Sequence, residues 1–245
     1  MKRMDGRLAD ELRAFSFELD FTENPLSSVL CKFGRTRVLC TVCVEESVPR
    51  VLKGTGKGWL TAEYSLLPGS TDQRVDREAS RGKVSGRTQE IQRLIGRSLR
   101  SVTNLAALGE RTLWVDCDVL QADGGTRTAS VSGAYVALAL AVSRLKEGGF
   151  VGEKVLLSRL GAISVGVVKN QPILDLCYAE DSRAEVDMNV VGTSNGEFAE
   201  VQGTGEERTF SSAHLEEMIR LATVGIEVIT SEQKRVLDSA GASVE

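Results

Sequence analysis

The segment Asp123-Gly-Gly-Thr-Arg-Thr128 joins two contrasting stretches. Before it, Thr112 to Gln121 reads as a strand; after it, Ala129 to Leu145 is a helix-like run of small apolar residues. Glycine lets backbone amides approach a ligand closely, and a helix N-terminus offers unpaired N–H groups at the positive end of its dipole. Thr126 adds a hydroxyl and Arg127 a two-pronged cation. Gly125, Thr126 and Arg127 therefore form a seat for an oxyanion, phosphate above all; the plainer reading is a glycine turn with a capping threonine. Arg87 follows Gly86 at the start of another helix-like segment, but spacing cannot bring it to Arg127.

A second group is acidic. Glu185, Asp187 and Asn189 alternate with Ala184, Val186, Met188 and Val190, so one face of that strand is polar and the other apolar. Asp181 lies just upstream. Two carboxylates beside a phosphate suit Mg²⁺, which takes hard oxygen ligands and keeps waters and substrate oxygens. A solvent-facing strand is the bland alternative, and Asp116 with Asp118 is a rival pair that periodicity cannot separate from the first.

Other patterns fail. Gly54-Thr-Gly-Lys-Gly58 lacks the first glycine and the Ser/Thr of a phosphate-binding P-loop, and Trp59 stands where a dinucleotide fingerprint needs its third glycine. His214 is the only histidine; a structural or exposed role is expected, which argues against a Ser-His-Asp triad. Five cysteines, an odd number, argue for reduced thiols. Cys40 and Cys43 lie within one strand-like run and are expected to be buried small hydrophobes.

Several elements must position these groups. Strands are predicted at Arg37 to Val44, Trp59 to Leu66, Leu113 to Leu120, Ala162 to Val168, Pro172 to Tyr178, Ala184 to Val191 and Glu197 to Gln202. Helices are predicted at Gln89 to Val102, Ala129 to Lys146 and Ala213 to Ile229. The first has an apolar stripe opposite Arg93, Arg97 and Arg100; the second is apolar almost all round and should be central. The 245 residues, 42% hydrophobic and 26% charged, carry no linker-like tract, and residues 1–245 are read as a single catalytic domain. The apolar run Ala134 to Val142 is too short to span a membrane, and Met1 to Arg7 is not followed by an export-type apolar core; the expectation is a cytoplasmic chain.

Net charge is −4, yet Arg74 to Arg111 holds eight arginines and one lysine against four acids. Such a localised positive field attracts polyanions, although a solvated helix face is the simpler reading.

Taken together, the motifs resemble the ribonuclease PH family of phosphate-dependent 3′ exoribonucleases. The resemblance is carried by Cys117 to Ser130, Trp59 to Pro68, Arg81 to Arg100 and Tyr178 to Asn189, in matching order. It implies an α+β fold of two similar β-rich halves, duplicated β-β-α-β type units with mixed sheets covered by helices. It implies that Arg87, Gly125, Thr126 and Arg127 bind inorganic phosphate as co-substrate, and that Asp181 and Asp187 are catalytic through Mg²⁺. It also implies that Arg74, Arg77, Arg93 and Arg97 guide RNA. The implied reaction trims tRNA precursors to nucleoside diphosphates, reversibly, within a homohexamer built as a trimer of dimers. Two alternatives stand beside it: a non-catalytic RNA-binding subunit of an exosome-type ring, and a two-metal hydrolytic nuclease, which would release nucleoside monophosphates without phosphate.

Overall fold

The computed structural model describes residues 3–152, 154–206 and 208–242; Met1 and Lys2 of the N-terminal stretch lie outside them. Nine strands form two sheets. The first contains β1 (Phe15–Leu19), β2 (Ser27–Phe33), β3 (Thr36–Glu45), β4 (Trp59–Leu66) and β5 (Thr112–Gln121), in the order β1-β2-β3-β5-β4. Its pairs are antiparallel except β4 with β5, which run parallel. A parallel pair needs a crossover, and α1 (Gly86–Ser101) with the single turn α2 (Leu105–Leu108) supplies it. The second sheet, ordered β7-β6-β8-β9, is antiparallel and contains β6 (Leu160–Val168), β7 (Gln171–Leu174), β8 (Val186–Thr193) and β9 (Phe198–Gly205).

Between the sheets runs α3 (Thr126–Glu147), which packs on β2 and β3 from one side and on β6 from the other. Its residues from Thr128 to Val142 are all buried. Small side chains allow this closeness: a Cβ at Gly133 would lie 2.6 Å from Cys31 Cβ and 2.8 Å from Cys40 Sγ. By length and composition α3 is the one described helix apolar enough to cross a membrane, more so than the run Ala134 to Val142 suggested, but it is enclosed in the core. One hydrophobic cluster joins residues of both sheets around it. The helix α5 (Ser212–Ser239) covers β6, β7 and β8, and α1 lays Ile91, Leu94, Ile95 and Leu99 against β4 and α3.

The predicted elements recur with displaced ends. Ser85 accepts from the Thr88 amide and starts α1 at Gly86, three residues before the expected Gln89. Helix α5 starts where expected, with Ser211 as N-cap, but runs ten residues further. The strand expected from Pro172 to Tyr178 stops at Leu174, because Asp175 is held at a left-handed φ of 54° and the short helix α4 (Tyr178–Asp181) follows. Strands β1 and β2 were not predicted. Cys40 is buried as expected, but Cys43 is exposed: residues three apart on a strand face opposite ways.

Candidate active site

The loop Asp123–Gly125 leaves β5 and enters α3 directly, so the helix begins at Thr126 rather than at Ala129. Gly124 and Gly125 have φ of 74° and 63°, a region that favours glycine. Ala129 makes the first helical bond, to Gly125 O at 2.9 Å. The amides of Thr126, Arg127 and Thr128 are thus the donors of an open helix end. The loop is pinned from three sides. Thr36 Oγ1 donates to Gly124 O at 2.8 Å and accepts from the Asp123 amide at 2.9 Å. Arg13 donates to Asp123 O at 2.6 Å while its guanidinium pairs with buried Asp175 at 2.7 Å. Tyr64 OH donates to Thr126 Oγ1 at 2.9 Å, which leaves the threonine hydroxyl proton to donate elsewhere.

This loop forms the floor of a cleft of about 860 Å³. The cleft is lined by Arg74, Arg87, Gly125, Thr126, Arg127, Asp181 and Asp187, with Arg35, Tyr178, Ser164 and Asn189 among the remaining wall residues. Arg87 comes from the first turn of α1, which folding brings to the mouth of α3. Its proximity is felt electrostatically: the Arg127 and Arg87 charges both pull the Asp181 carboxyl down, against burial, which pushes it up and prevails. Arg127 is mostly buried and donates through Nη1 to Gln202 Oε1 at 3.0 Å and Glu90 Oε1 at 3.3 Å.

Asp181 ends α4 and Asp187 lies on β8. Burial first, then the Asp181 charge, pushes the Asp187 carboxyl up to about 6; Asn189 Nδ2 donates to it at 3.4 Å. Glu206 adds further negative charge to both. Two carboxylates raised by burial in one cleft, Asp187 further by the charge of Asp181, fit the chemistry of a hard divalent cation, which holds one or two protein carboxylates and fills the rest of its shell with substrate oxygens and waters. Among the described residues no cluster of three or more His, Cys, Asp or Glu has metal-holding geometry. The rival pair lies elsewhere: Asp116 is paired in register with Glu63 of β4, and both Asp116 and Asp118 are outside the cleft lining.

Seven of the ten residues singled out from the sequence thus line one cleft. Arg77, Arg93 and Arg97 are exposed and do not line it. Sequence reading missed Arg35 and Tyr178 on the wall, and Arg13, Thr36, Tyr64, Glu90 and Gln202 behind it. Thr36 opens a strand and Tyr64 sits in a conspicuous motif, but nothing in their spacing points to position 124 or 126.

Residues 11–143 match the model of domain 1 of the 3′ exoribonuclease family, and residues 159–225 match that of domain 2. Ribonuclease PH of Bacillus subtilis (strain 168) is 56% identical over 236 residues, covering 96% of each chain. Ribonuclease PH of Corynebacterium efficiens is 56% identical over 235 residues, again covering 96% of each. Among solved structures, rice Rrp46 superposes with a TM-score of 0.78 at 20% identity, covering 96% of this chain and 100% of that one. The Archaeoglobus fulgidus exosome with RNA bound to the active site gives 0.77 at 18% identity, covering 94% and 92%. These two likenesses are of fold.

Proposed function

Since the chain belongs to the 3′ exoribonuclease family, we propose that its 860 Å³ cleft is the phosphorolytic centre. The enzyme is a phosphate-dependent 3′-to-5′ exoribonuclease, a nucleotidyltransferase acting on RNA. The observation that carries the assignment of the cleft is the convergence of Arg87, Arg127 and the Gly125–Thr126 helix end on the two carboxylates Asp181 and Asp187.

Inorganic phosphate sits on the amides of the α3 N-terminus, between the two guanidinium groups. The nucleophile arrives anionic, so no histidine base is needed, in keeping with His214 lying outside the cleft. The obstacle is repulsion between two anions. Arg87 and Arg127 offset it and hold the attacking oxygen in line with the last phosphodiester. Attack forms a P–O bond to the incoming phosphate, breaks the bond to the 3′ oxygen of the shortened RNA and releases a nucleoside diphosphate. The bonds exchanged are alike, so nucleoside diphosphates drive the reverse reaction. Asp181 and Asp187 would hold Mg²⁺, which would supply positive charge to offset that on the transferred phosphoryl group.

The basic side chains Arg74, Arg77, Arg93 and Arg97 guide the RNA 3′ end. The cleft draws on both family regions, Arg35 to Arg127 from one and Ser164 to Asn189 from the other, which supports their working as a single catalytic unit. The substrates are tRNA precursors, the working form is a homohexamer built as a trimer of dimers, and the site of action is the cytoplasm. A non-catalytic ring subunit is disfavoured by the retention of both arginines and both carboxylates.

Replacing Arg127 by Ala removes an oxyanion donor and should cost about 10²-fold or more in phosphorolysis. Asp187→Asn should keep RNA binding and lose turnover. Unchanged rates for Arg127→Ala at saturating phosphate, or wild-type turnover of Asp187→Asn in Mg²⁺, would remove the respective assignment.

A further inference from the structure

Three side chains from three elements, Arg127 in the cleft wall and two outside its lining, close a ring. Arg127 of α3 donates from Nη1 to Gln202 Oε1 of β9 at 3.0 Å and to Glu90 Oε1 of α1 at 3.3 Å. Gln202 Nε2 in turn donates to the same Glu90 oxygen at 2.9 Å. The orientation of the Gln202 amide follows from its neighbours: turned over, it would set its NH₂ against a guanidinium and its oxygen against a carboxylate. Glutamine is the uncharged side chain with an acceptor for the arginine and a donor for the glutamate on one planar group. Neither Glu90 nor Gln202 lines the cleft.

We infer that Glu90 and Gln202 are positioning residues that hold Arg127 ready for inorganic phosphate. The inference rests on the reading of Arg127 as a phosphate ligand. Arginine is long and loses much rotamer freedom when fixed. In this clasp the cost is met during folding rather than on binding. One guanidinium nitrogen, Nη1, is tied back, while Nε and Nη2 stay available as a two-pronged edge for an anion in the cleft. The clasp also spans the two family regions, since α1 and α3 belong to the first and β9 to the second. A relative shift of the two sheets would therefore loosen the phosphate ligand.

The test is steady-state phosphorolysis by the full chain in Mg²⁺, with orthophosphate and RNA varied separately. Gln202→Leu keeps the volume and loses both bonds; Glu90→Ala loses the shared acceptor. Each should raise the KM for phosphate about tenfold, with the KM for RNA and the melting temperature little changed. Glu90→Gln keeps an acceptor oxygen for both partners and should restore a phosphate KM close to that of the wild type. In an Arg127→Ala background, adding Gln202→Leu should change nothing further, because the clasp acts through Arg127. Equal phosphate KM values for Gln202→Leu, Glu90→Ala and wild type would overturn the inference, as would additive losses in the double variant. If Arg127→Ala itself leaves the phosphate KM unaltered, it is the assignment of the seat that fails.

Discussion

Gly124 rests against the backbone of Tyr178: a Cβ at 124 would lie 2.7 Å from the Tyr178 nitrogen and 2.6 Å from Leu176 O. The loop that presents the proposed phosphate seat and the turn that carries Asp181 are thus packed backbone to backbone. At this contact no side chain intervenes, an approach that only glycine at 124 permits.

Gly124→Ala adds that methyl group at a left-handed φ of 74°, where it is strained whatever the neighbours do. We expect a loss of about 1–3 kcal/mol in urea unfolding, accompanied by a fall in phosphorolysis larger than the loss of folded protein explains. Activity per folded molecule equal to wild type would show that the two backbones can separate without harm to the site.

Asp175 anchors the same region from beneath. Both it and Arg13 are buried, and the pair is bidentate, with Arg13 Nη2 to Oδ1 at 2.7 Å and Nε to Oδ2 at 3.0 Å. Removing one partner strands the other charge away from water. Asp175→Ala should cost about 3–5 kcal/mol and free the Asp123 carbonyl that Arg13 holds. Equilibrium denaturation measures the first, and the KM for phosphate the second. A cost under about 1 kcal/mol would mean that Arg13 finds water or another partner.

A pH dependence follows from Asp187, whose carboxyl is pushed up by burial and the Asp181 charge to about 6 in the folded chain from an ordinary value of 3.8. Its protonated form is favoured by folding. The stabilisation is complete below the unfolded pKa and is lost as pH rises through about 6. In EDTA the wild type should therefore lose roughly 2 kcal/mol of stability between pH 4 and pH 8 relative to Asp187→Asn, which cannot ionise. Parallel stability curves for the two proteins would contradict the assigned burial and repulsion.

Much of the candidate site was legible in the sequence because its parts are local. The glycine turn, the helix start and the alternating acids Glu185 and Asp187 each occupy a few consecutive residues. The missing information was of two kinds. Strand β1 does alternate, Phe-Ser-Phe-Glu-Leu, but over only five residues; β2 begins with Ser27 and Ser28 and is buried on both faces, so it lacks the alternation that reveals a half-exposed strand. Contacts between distant segments leave no periodic trace either. Arg13 reaches Asp175 across 162 residues and Gln202 reaches Glu90 across 112. Within the sequence, Glu90 reads only as one acid in a basic run. Of the basic residues, spacing did not distinguish Arg74 and Arg87, which face the cleft, from Arg93 and Arg97 on an exposed helix face.

The most direct test of phosphorolysis is product analysis of 3′-end-labelled RNA by thin-layer chromatography, with and without orthophosphate in Mg²⁺. Degradation should require orthophosphate and yield nucleoside diphosphates, and Arg127→Ala should yield almost none. Nucleoside monophosphates appearing at an undiminished rate without orthophosphate would contradict the account and identify a hydrolase.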